Sequence, residues 1–198
     1  HFWGSKNICR LKIIFLVHVS LDGFVASPNG EMDWISLPQE LFDWGTTLTE
    51  QADTALYGHT TYGMMQNYWP TAGSKPNASK HDKEHSAWYN NVTKIVVSKT
   101  MKDEGLEKTI IIRDNLVQNI EKIKHQSGKN IQIYGSPSVI QELMKADLID
   151  EFYLTINPIL LGKGKPLFTD AQKKIKLKLL ETKTFSQGVV LLHYGKEK

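Results

Sequence analysis

The sequence contains a single cysteine, Cys9, among its 198 residues. One cysteine excludes an internal disulfide framework and a zinc site built from several cysteines. A chain of this length buries enough surface on folding to be stable without either. The cysteine content therefore predicts a protein of a reducing compartment, and we expect a cytoplasmic location.

Arginine is also scarce, and the net charge is small. Only Arg10 and Arg113 are arginines, and the formal net charge is +3. Nucleic-acid binding relies on strongly basic patches and on bidentate arginine contacts, so we expect no nucleic-acid partner. No apolar stretch approaches the roughly 20 residues that a membrane-spanning helix needs. The apolar run at 13–19 is short and rich in β-branched residues, which predicts a buried strand and no membrane segment.

The order of strand and helix patterns predicts one domain. The sequence contains no repeats and no low-complexity linkers. We therefore assign residues 11–195 to a single domain and residues 1–10 to an N-terminal extension. Strands alternate with helices over three quarters of the chain, and the remainder is β only. This order predicts an α/β fold with a mixed, mainly parallel sheet, helices on both faces and an antiparallel C-terminal hairpin. The predicted strands are 11–19, 54–57, 94–98, 109–112, 130–134, 150–157, 174–183 and 189–194; helices are predicted after Pro38 (apolar stripe Leu41, Trp44, Leu48, Ala52), from Gly58 to Met65, over 81–91, around 116–123 and after Ser136, with a loop over 70–80.

Two strands run through a glycine directly into the start of a helix. The junctions read Tyr57-Gly58-His59-Thr60-Thr61 and Tyr134-Gly135-Ser136-Pro137-Ser138. Backbone N–H groups and the positive end of the helix dipole form an anion site there, and glycine lets a phosphate approach the backbone. Because ligands of open α/β sheets bind at the carboxyl ends of strands, the junctions predict two phosphate contacts. The alternative is two tight turns, the second capped by the Ser136 side chain.

Three other segments have both a functional and a structural interpretation. The carboxylate of Asp22, at the end of the first strand, either holds a polar substrate or forms an ordinary Asp-Gly turn. His81, Glu84 and His85 match the H-x-x-E-H zinc motif, in which Glu84 would activate water. The alternative is a short solvated helix, and we expect no metal because so short a match often arises by chance. His18 is predicted to be a packed histidine rather than a base.

Six segments occur in an order that is typical of one protein family: SLDGFVA at 20–26, LYGHTTY at 56–62, KIVVSKT at 94–100, GS at 135–136, LIDE at 148–151 and PILLGKGKPLF at 158–168. The chain thereby resembles the dihydrofolate-reductase-like family typified by the C-terminal reductase domain of the bifunctional riboflavin-biosynthesis deaminase/reductase. The resemblance covers residues 11–195. It implies the dihydrofolate reductase fold, NADPH as hydride donor and a homodimer.

The resemblance also implies which residues bind the cofactor. Gly58, His59, Thr60 and Thr61 would hold the adenosine-side phosphates, Ser98 and Lys99 would flank the 2′-phosphate, and Gly135, Ser136, Pro137 and Ser138 would hold the pyrophosphate. The sequence departs from the family at His59, where arginine is usual, and at Tyr134, where glycine is common. A neutral histidine holds a 2′-phosphate less firmly than arginine does, which leaves the choice between NADPH and NADH open.

A second, narrower resemblance concerns the substrate. The segment MDWISLPQEL at 32–41 looks like the folate reductase stretch Met-Pro-Trp-x-Leu-Pro-x-Asp-Leu with one extra residue. It implies that Glu40 is the catalytic, substrate-binding carboxylate. We further expect Asp22 and Trp34 to lie beside the nicotinamide and to bind the substrate, with Asp22 as a second catalytic candidate. A carboxylate suits the amidine edge of a pterin-like ring, whose imine nitrogen must gain a proton. The alternative for Glu40 is an exposed acidic residue in a first helical turn, stabilised by the helix dipole.

The residues and the resemblance together predict an NADPH-dependent reductase that transfers a hydride to a small heterocyclic or imine substrate. The segment at 20–23 favours the ribosylaminopyrimidine of riboflavin biosynthesis, whereas the segment at 32–38 favours a pterin or folate-like compound. Two other hypotheses stay open. One is a non-catalytic nucleotide-binding protein of the same fold, and the other is a zinc hydrolase that uses His81, Glu84 and His85.

Overall fold

The structure, a computed structural model, describes residues 11–169 and 173–197; the predicted N-terminal extension, with Cys9, lies outside the described residues. The elements in chain order are β1 (Ile13–Ser20), β2 (Phe24–Ala26), α1 (Gln39–Thr49), β3 (Ala52–Gly58), α2 (His59–Ala72), α3 (Lys80–Asn91), β4 (Thr93–Val97), β5 (Thr109–Ile112), α4 (Leu116–Lys124), β6 (Asn130–Tyr134), α5 (Pro137–Lys145), β7 (Glu151–Asn157), β8 (Lys165–Pro166), β9 (Leu177–Thr184), a 3₁₀ turn (Ser186–Gly188) and β10 (Val190–Lys196).

Eight strands form one sheet in the order β5-β4-β3-β6-β1-β7-β10-β9. The strands from β5 to β7 in this order are all parallel. Strand β10 is antiparallel to both β7 and β9, and β2 pairs with β8 in a separate two-stranded sheet. The parallel strands therefore end together, at what we call the carboxyl edge, which is formed by the last residues of β1, β3, β4, β5, β6 and β7.

Both faces of the sheet are covered by helices, and β1 shows why. Successive side chains of a strand point to opposite faces, so a strand in the centre of the sheet must be apolar on both. Ile13 and Phe15 pack with Ile140 in the core beneath α4 and α5. Ile14 packs with Leu41 in the core beneath α1, and the same face continues under α2 and α3. In the described ranges, none of the helices is long and apolar enough to cross a membrane.

The chain leaves β3 and β6 in opposite directions along the sheet. From β3 it passes through α2 and α3 to β4 on one side, and from β6 it passes through α5 to β7 on the other. Because β3 and β6 are neighbours, their carboxyl ends form a topological switch point, where open α/β sheets bind their ligands.

The predicted fold class is confirmed, and three details of its elements differ from the prediction. Helix α2 continues through Pro70 to Ala72, where the composition predicts a loop, because its last turn packs on α3 and the Ser86 hydroxyl donates to the Trp69 carbonyl at 2.6 Å. Ala52 begins β3 instead of ending the helical stripe, since α1 stops at Thr49. Strands β2 and β8 were not predicted, because two or three residues are too few to show a period.

Candidate active site

The starts of α2 and α5 face each other at the switch point. The Gly58 N–H donates to the Ser136 hydroxyl over 2.7 Å, so the two predicted junctions are in direct contact. A Cβ atom on Gly58 would lie 3.1 Å from Ser136 Oγ, and one on Gly135 would lie 3.3 Å from the Thr61 side chain. Gly135 also has φ +52°, in the left-handed region that favours glycine. The close approach of the two helices therefore favours glycine at both positions.

The first turns of these two helices lack side-chain caps. Within residues 11–169 and 173–197, no side chain caps the N-terminus of α2 or of α5. The predicted cap, Ser136, instead accepts the Gly58 N–H, because its own backbone is left-handed (φ +57°), so the prediction of a Ser136 cap is wrong. By contrast, Ser79 and Asp82 form a complete capping box on α3. The uncapped turns of α2 and α5 leave N–H groups and positive dipole ends available for anions.

Ser98 and His59 meet beside the start of α2. Ser98 Oγ lies 3.2 Å from His59 Nδ1 and also accepts the Met101 N–H at 3.0 Å. Ser98 is buried, whereas His59 and the adjacent Lys99 are exposed. The structure therefore brings together the residues that the resemblance implies for a 2′-phosphate, with a buried, hydrogen-bonded hydroxyl beside two exposed side chains.

Arg113 is a candidate that the sequence predictions missed. Val97 of β4 pairs with Ile112 of β5, so Arg113 follows β5 at the carboxyl edge just as Ser98 follows β4. Its Nη1 atom lies 3.4 Å from the Lys99 carbonyl oxygen. A guanidinium binds phosphate through paired hydrogen bonds, which neither lysine nor histidine provides. The signal in the sequence was a basic residue directly after a predicted strand.

Asp22 joins two loops at the carboxyl end of β1. Its carboxylate accepts hydrogen bonds from the Ser20 hydroxyl at 2.7 Å and from the N–H groups of Gly162 at 2.8 Å and Leu161 at 3.2 Å. The Ser20 bond, followed by the backbone bonds, lowers the pKa of Asp22 below its ordinary value. Asp22 is therefore ionised at neutral pH, which suits it to position a substrate and makes it a poor proton donor.

Trp34 and Glu40 flank a segment that is hydrogen-bonded, through Ser36, to the end of β7. Buried Asn157, at the end of β7, accepts the Ser36 N–H at 2.8 Å. The Trp34 indole N–H is buried and has no hydrogen-bond partner among the described residues. The Glu40 carboxylate accepts the Ser186 N–H at 2.7 Å, and hydrogen bonds from Ser186 lower its pKa. The structure thus places Trp34 near the end of β7 and directs Glu40 toward the turn between β9 and β10.

His18 borders the same site from β1. It pairs in register with Thr155 of β7, and its Nδ1 is hydrogen-bonded to the Thr155 hydroxyl. Burial lowers the pKa of His18 to about 4, so the ring is neutral at pH 7. The side chain is only partly buried, and the pairing of β1 with β6 ends at Leu16 opposite Tyr134. The prediction that His18 is packed holds for the side of the ring that faces β7. It did not include the position of His18 near the carboxyl edge.

His81 and His85 are packing residues on α3. His81 lies 5.5 Å and His85 4.1 Å, between ring centroids, from Trp69. Burial lowers the pKa of both, that of His85 to about 3. Glu84, which would be the base of a zinc motif, instead accepts a hydrogen bond from the Thr46 hydroxyl of α1 at 3.2 Å. In the part of the chain that the structure describes, no group of three or more His, Cys, Asp or Glu side chains could hold a metal. His81 and His85 are thus half-buried in an aromatic cluster, so the alternative of a short solvated helix is wrong for these two side chains.

Comparisons of sequence place the chain among known proteins. A family model described as the RibD C-terminal domain matches residues 11–191. The uncharacterised protein YyaP of Bacillus subtilis (strain 168) is 36% identical over 190 residues, which cover 96% of this chain and 97% of that protein. YwjB of the same organism is 30% identical over 184 residues, covering 92% and 97%.

Solved structures show the same fold. A candidate riboflavin biosynthesis protein from Shewanella sp. PV-4 has a TM-score of 0.73 and 24% identity, covering 95% of this chain and 100% of that one. A dihydrofolate reductase from Enterococcus faecalis, in complex with NADP(H), has a TM-score of 0.61 and 16% identity, covering 94% and 97%. The fold is that of dihydrofolate reductase, and the match over residues 11–191 with the two Bacillus relatives shows that the chain belongs to the RibD C-terminal domain family.

Proposed function

We propose that the protein is an NADPH-dependent reductase that transfers a hydride to a small heterocyclic or imine substrate. The observation that carries this proposal is the contact between the starts of α2 and α5, where the Gly58 N–H meets the Ser136 hydroxyl. Two uncapped helix N-termini held together at a switch point suit the linked phosphates of a dinucleotide better than a single phosphate. Membership of the RibD C-terminal domain family supports the same activity.

The residues at the carboxyl edge fit NADPH in charge and in hydrogen-bonding capacity. Glycine at positions 58 and 135 lets the starts of the two helices approach, since a Cβ atom at either position would press against the side chain of Ser136 or Thr61. We assign Gly58, His59, Thr60 and Thr61 to the adenosine-side phosphates, Gly135, Ser136, Pro137 and Ser138 to the pyrophosphate, and Ser98, Lys99 and Arg113, with His59, to the 2′-phosphate. Bound NADPH would supply the hydride, and these residues would fix its position and balance its charge.

The substrate ring would bind beside Asp22 and Trp34. Ionised Asp22 would accept a hydrogen bond from a ring N–H or amino group, and the Trp34 indole N–H would donate to a carbonyl oxygen. The ring nitrogen must gain a proton as the hydride arrives. Water is a better source than Glu40, because the Glu40 carboxylate is bound to Ser186 and its pKa is lowered. A pterin-like ring and a ribosylaminopyrimidine both offer these groups.

A non-catalytic nucleotide-binding protein is the second candidate. The observation that favours it is the engagement of both carboxylates, since Asp22 binds loop N–H groups and Glu40 binds Ser186. A protein of this kind would bind NADPH and leave candidate substrates unreduced. Turnover therefore separates the two proposals.

We further propose a homodimer, which the resemblance implies. Strand β9 is the last strand at one side of the sheet, and its Leu179 and Leu180 side chains are 51% and 47% exposed. Exposed apolar side chains on an edge strand favour association with another chain. Light scattering should give twice the mass of one chain, and Leu179→Lys should reduce it toward one. A monomeric wild type at high concentration would contradict this proposal.

Fluorescence titration of the purified protein with NADPH and NADH tests the main proposal. We expect saturable binding of both, tighter for NADPH, and NADPH oxidation with dihydrofolate or the ribosylaminopyrimidine. Ser98→Ala should weaken NADPH binding more than NADH binding, because only NADPH carries the 2′-phosphate. A wild type that binds neither cofactor would refute the reductase. Cofactor binding without any turnover would favour the second candidate.

A further inference from the structure

His18 is a titratable side chain at the candidate site to which the proposed function gives no role. It lies on the α1 face of the sheet, paired with Thr155 across β1 and β7. On its other side β6 has already ended at Tyr134, and the chain has turned through Gly135 into α5. The imidazole is therefore packed against β7 on one edge and partly exposed on the other.

The bond to Thr155 determines which ring nitrogen carries the proton. Thr155 is fully buried, and among the described residues its hydroxyl has one hydrogen-bond partner, His18 Nδ1. A hydroxyl has a single hydrogen, and a buried donor without an acceptor is strongly unfavourable. The Thr155 O–H therefore donates to Nδ1, which must be unprotonated. The neutral ring then carries its hydrogen on Nε2.

The Nε2–H group is left free to bind a ligand. Nδ1 takes the bond to Thr155, and no protein atom in the described ranges bonds to Nε2. Burial keeps the ring neutral, with a pKa of about 4, so Nε2–H is a donor without charge over the physiological range. A neutral imidazole donor can polarise a carbonyl or imine without giving up its proton.

We infer that His18 is a substrate-binding residue whose Nε2–H donates to a ring carbonyl oxygen or imine nitrogen of the heterocyclic substrate. This inference rests on the proposed reductase function and adds a residue that fixes the orientation of the ring. A donor at Nε2 selects heterocycles with an acceptor at that position over ring systems that present an N–H there. Thr155 is the positioning residue, since its hydroxyl fixes the tautomer.

Nitrogen NMR of isotope-labelled protein tests the tautomer without reference to activity. In the wild type we expect a protonated signal from His18 Nε2 and an unprotonated one from Nδ1. Thr155→Val keeps the side-chain volume and removes the hydroxyl, so the proton should distribute over both nitrogens. A proton found on Nδ1 in the wild type would overturn the inference.

Calorimetry in the presence of NADP⁺, with dihydrofolate and the ribosylaminopyrimidine as probes, tests the ligand. The amide nitrogen of glutamine can occupy the place of Nε2, whereas that of asparagine reaches only the place of Nδ1. His18→Asn should weaken binding of the heterocycle about tenfold, and His18→Gln should stay within about threefold of wild type. The NADPH dissociation constant should not change in either variant. Thermal unfolding checks that both His18 variants fold. If either variant does not fold, Thr155→Val replaces it in the binding measurement and should weaken binding of the heterocycle several-fold.

The outcomes separate this inference from the proposed function. Equal losses in His18→Asn and His18→Gln, or an equal loss of NADPH binding, would show a structural role and overturn the inference. If wild type binds NADPH but neither heterocycle, the inference fails and the cofactor site stands. If wild type binds no NADPH, the proposed function fails and the inference falls with it.

Discussion

Replacement of His85 by phenylalanine should make the protein more resistant to acid. The His85 ring lies among aromatic rings, with centroid distances of 4.1 Å to Trp69 and 5.2 Å to Trp88, and burial lowers its pKa from 6.5 to about 3. Between these two values the unfolded chain binds a proton that the folded chain does not. The free energy of unfolding therefore falls as the pH falls through this range.

The expected magnitude follows from the width of that range. One such proton lowers the free energy of unfolding by about 1.4 kcal/mol per pH unit, hence by about 2 kcal/mol at about pH 5. Phenylalanine keeps a ring in the cluster and has no group that titrates. In urea unfolding followed by tryptophan fluorescence, His85→Phe should match wild type near neutral pH and exceed it by about 2 kcal/mol at about pH 5. Some acid sensitivity should persist through His18, whose pKa is lowered to about 4. Identical pH dependence in the two proteins would refute the neutral, buried state of His85.

Three further predictions concern stability and cofactor choice. Lys124, which is buried, donates to Asp150, so Lys124→Met should lower the free energy of unfolding in urea by about 2–3 kcal/mol, and an unchanged midpoint would contradict this. His59→Arg should tighten NADPH binding by up to about 1–2 kcal/mol and leave NADH binding unchanged in fluorescence titrations; equal gains would contradict the placement of the 2′-phosphate. Gly58→Ala would put a Cβ atom 3.1 Å from Ser136 Oγ and should lower the free energy of unfolding by about 1–2 kcal/mol, as measured by thermal unfolding. If the close contact is the cause, adding Ser136→Gly should recover part of that loss.

Local patterns predicted the two glycine junctions well. Gly58 and Gly135 each follow an apolar strand and precede a helix start, and both properties can be read within about ten residues. The mainly parallel sheet was predictable for a similar reason, because strand and helix patterns alternate along the chain. The role of Ser136 was not, since a left-handed backbone at serine follows from the contact with α2 and not from its neighbours in sequence.

Contacts between remote segments could not be predicted in the same way. Arg113 lies beside Ser98 only because β4 and β5 pair in one particular register. Glu40 is bound by Ser186, which lies 146 residues later in the chain, and the partner of His18 lies 137 residues away. Periodicity reports which face of an element is apolar, and it carries no information about which distant group completes a polar contact.

The bond between Gly58 and Ser136 also limits how the family can evolve. The two positions lie 78 residues apart in the chain, yet their atoms share one small space. A side chain gained at position 58 presses against the hydroxyl at position 136, so the first change costs less once the second residue has become smaller. Related sequences should therefore show these two positions changing together, with a residue other than glycine at the first accompanied by glycine at the second.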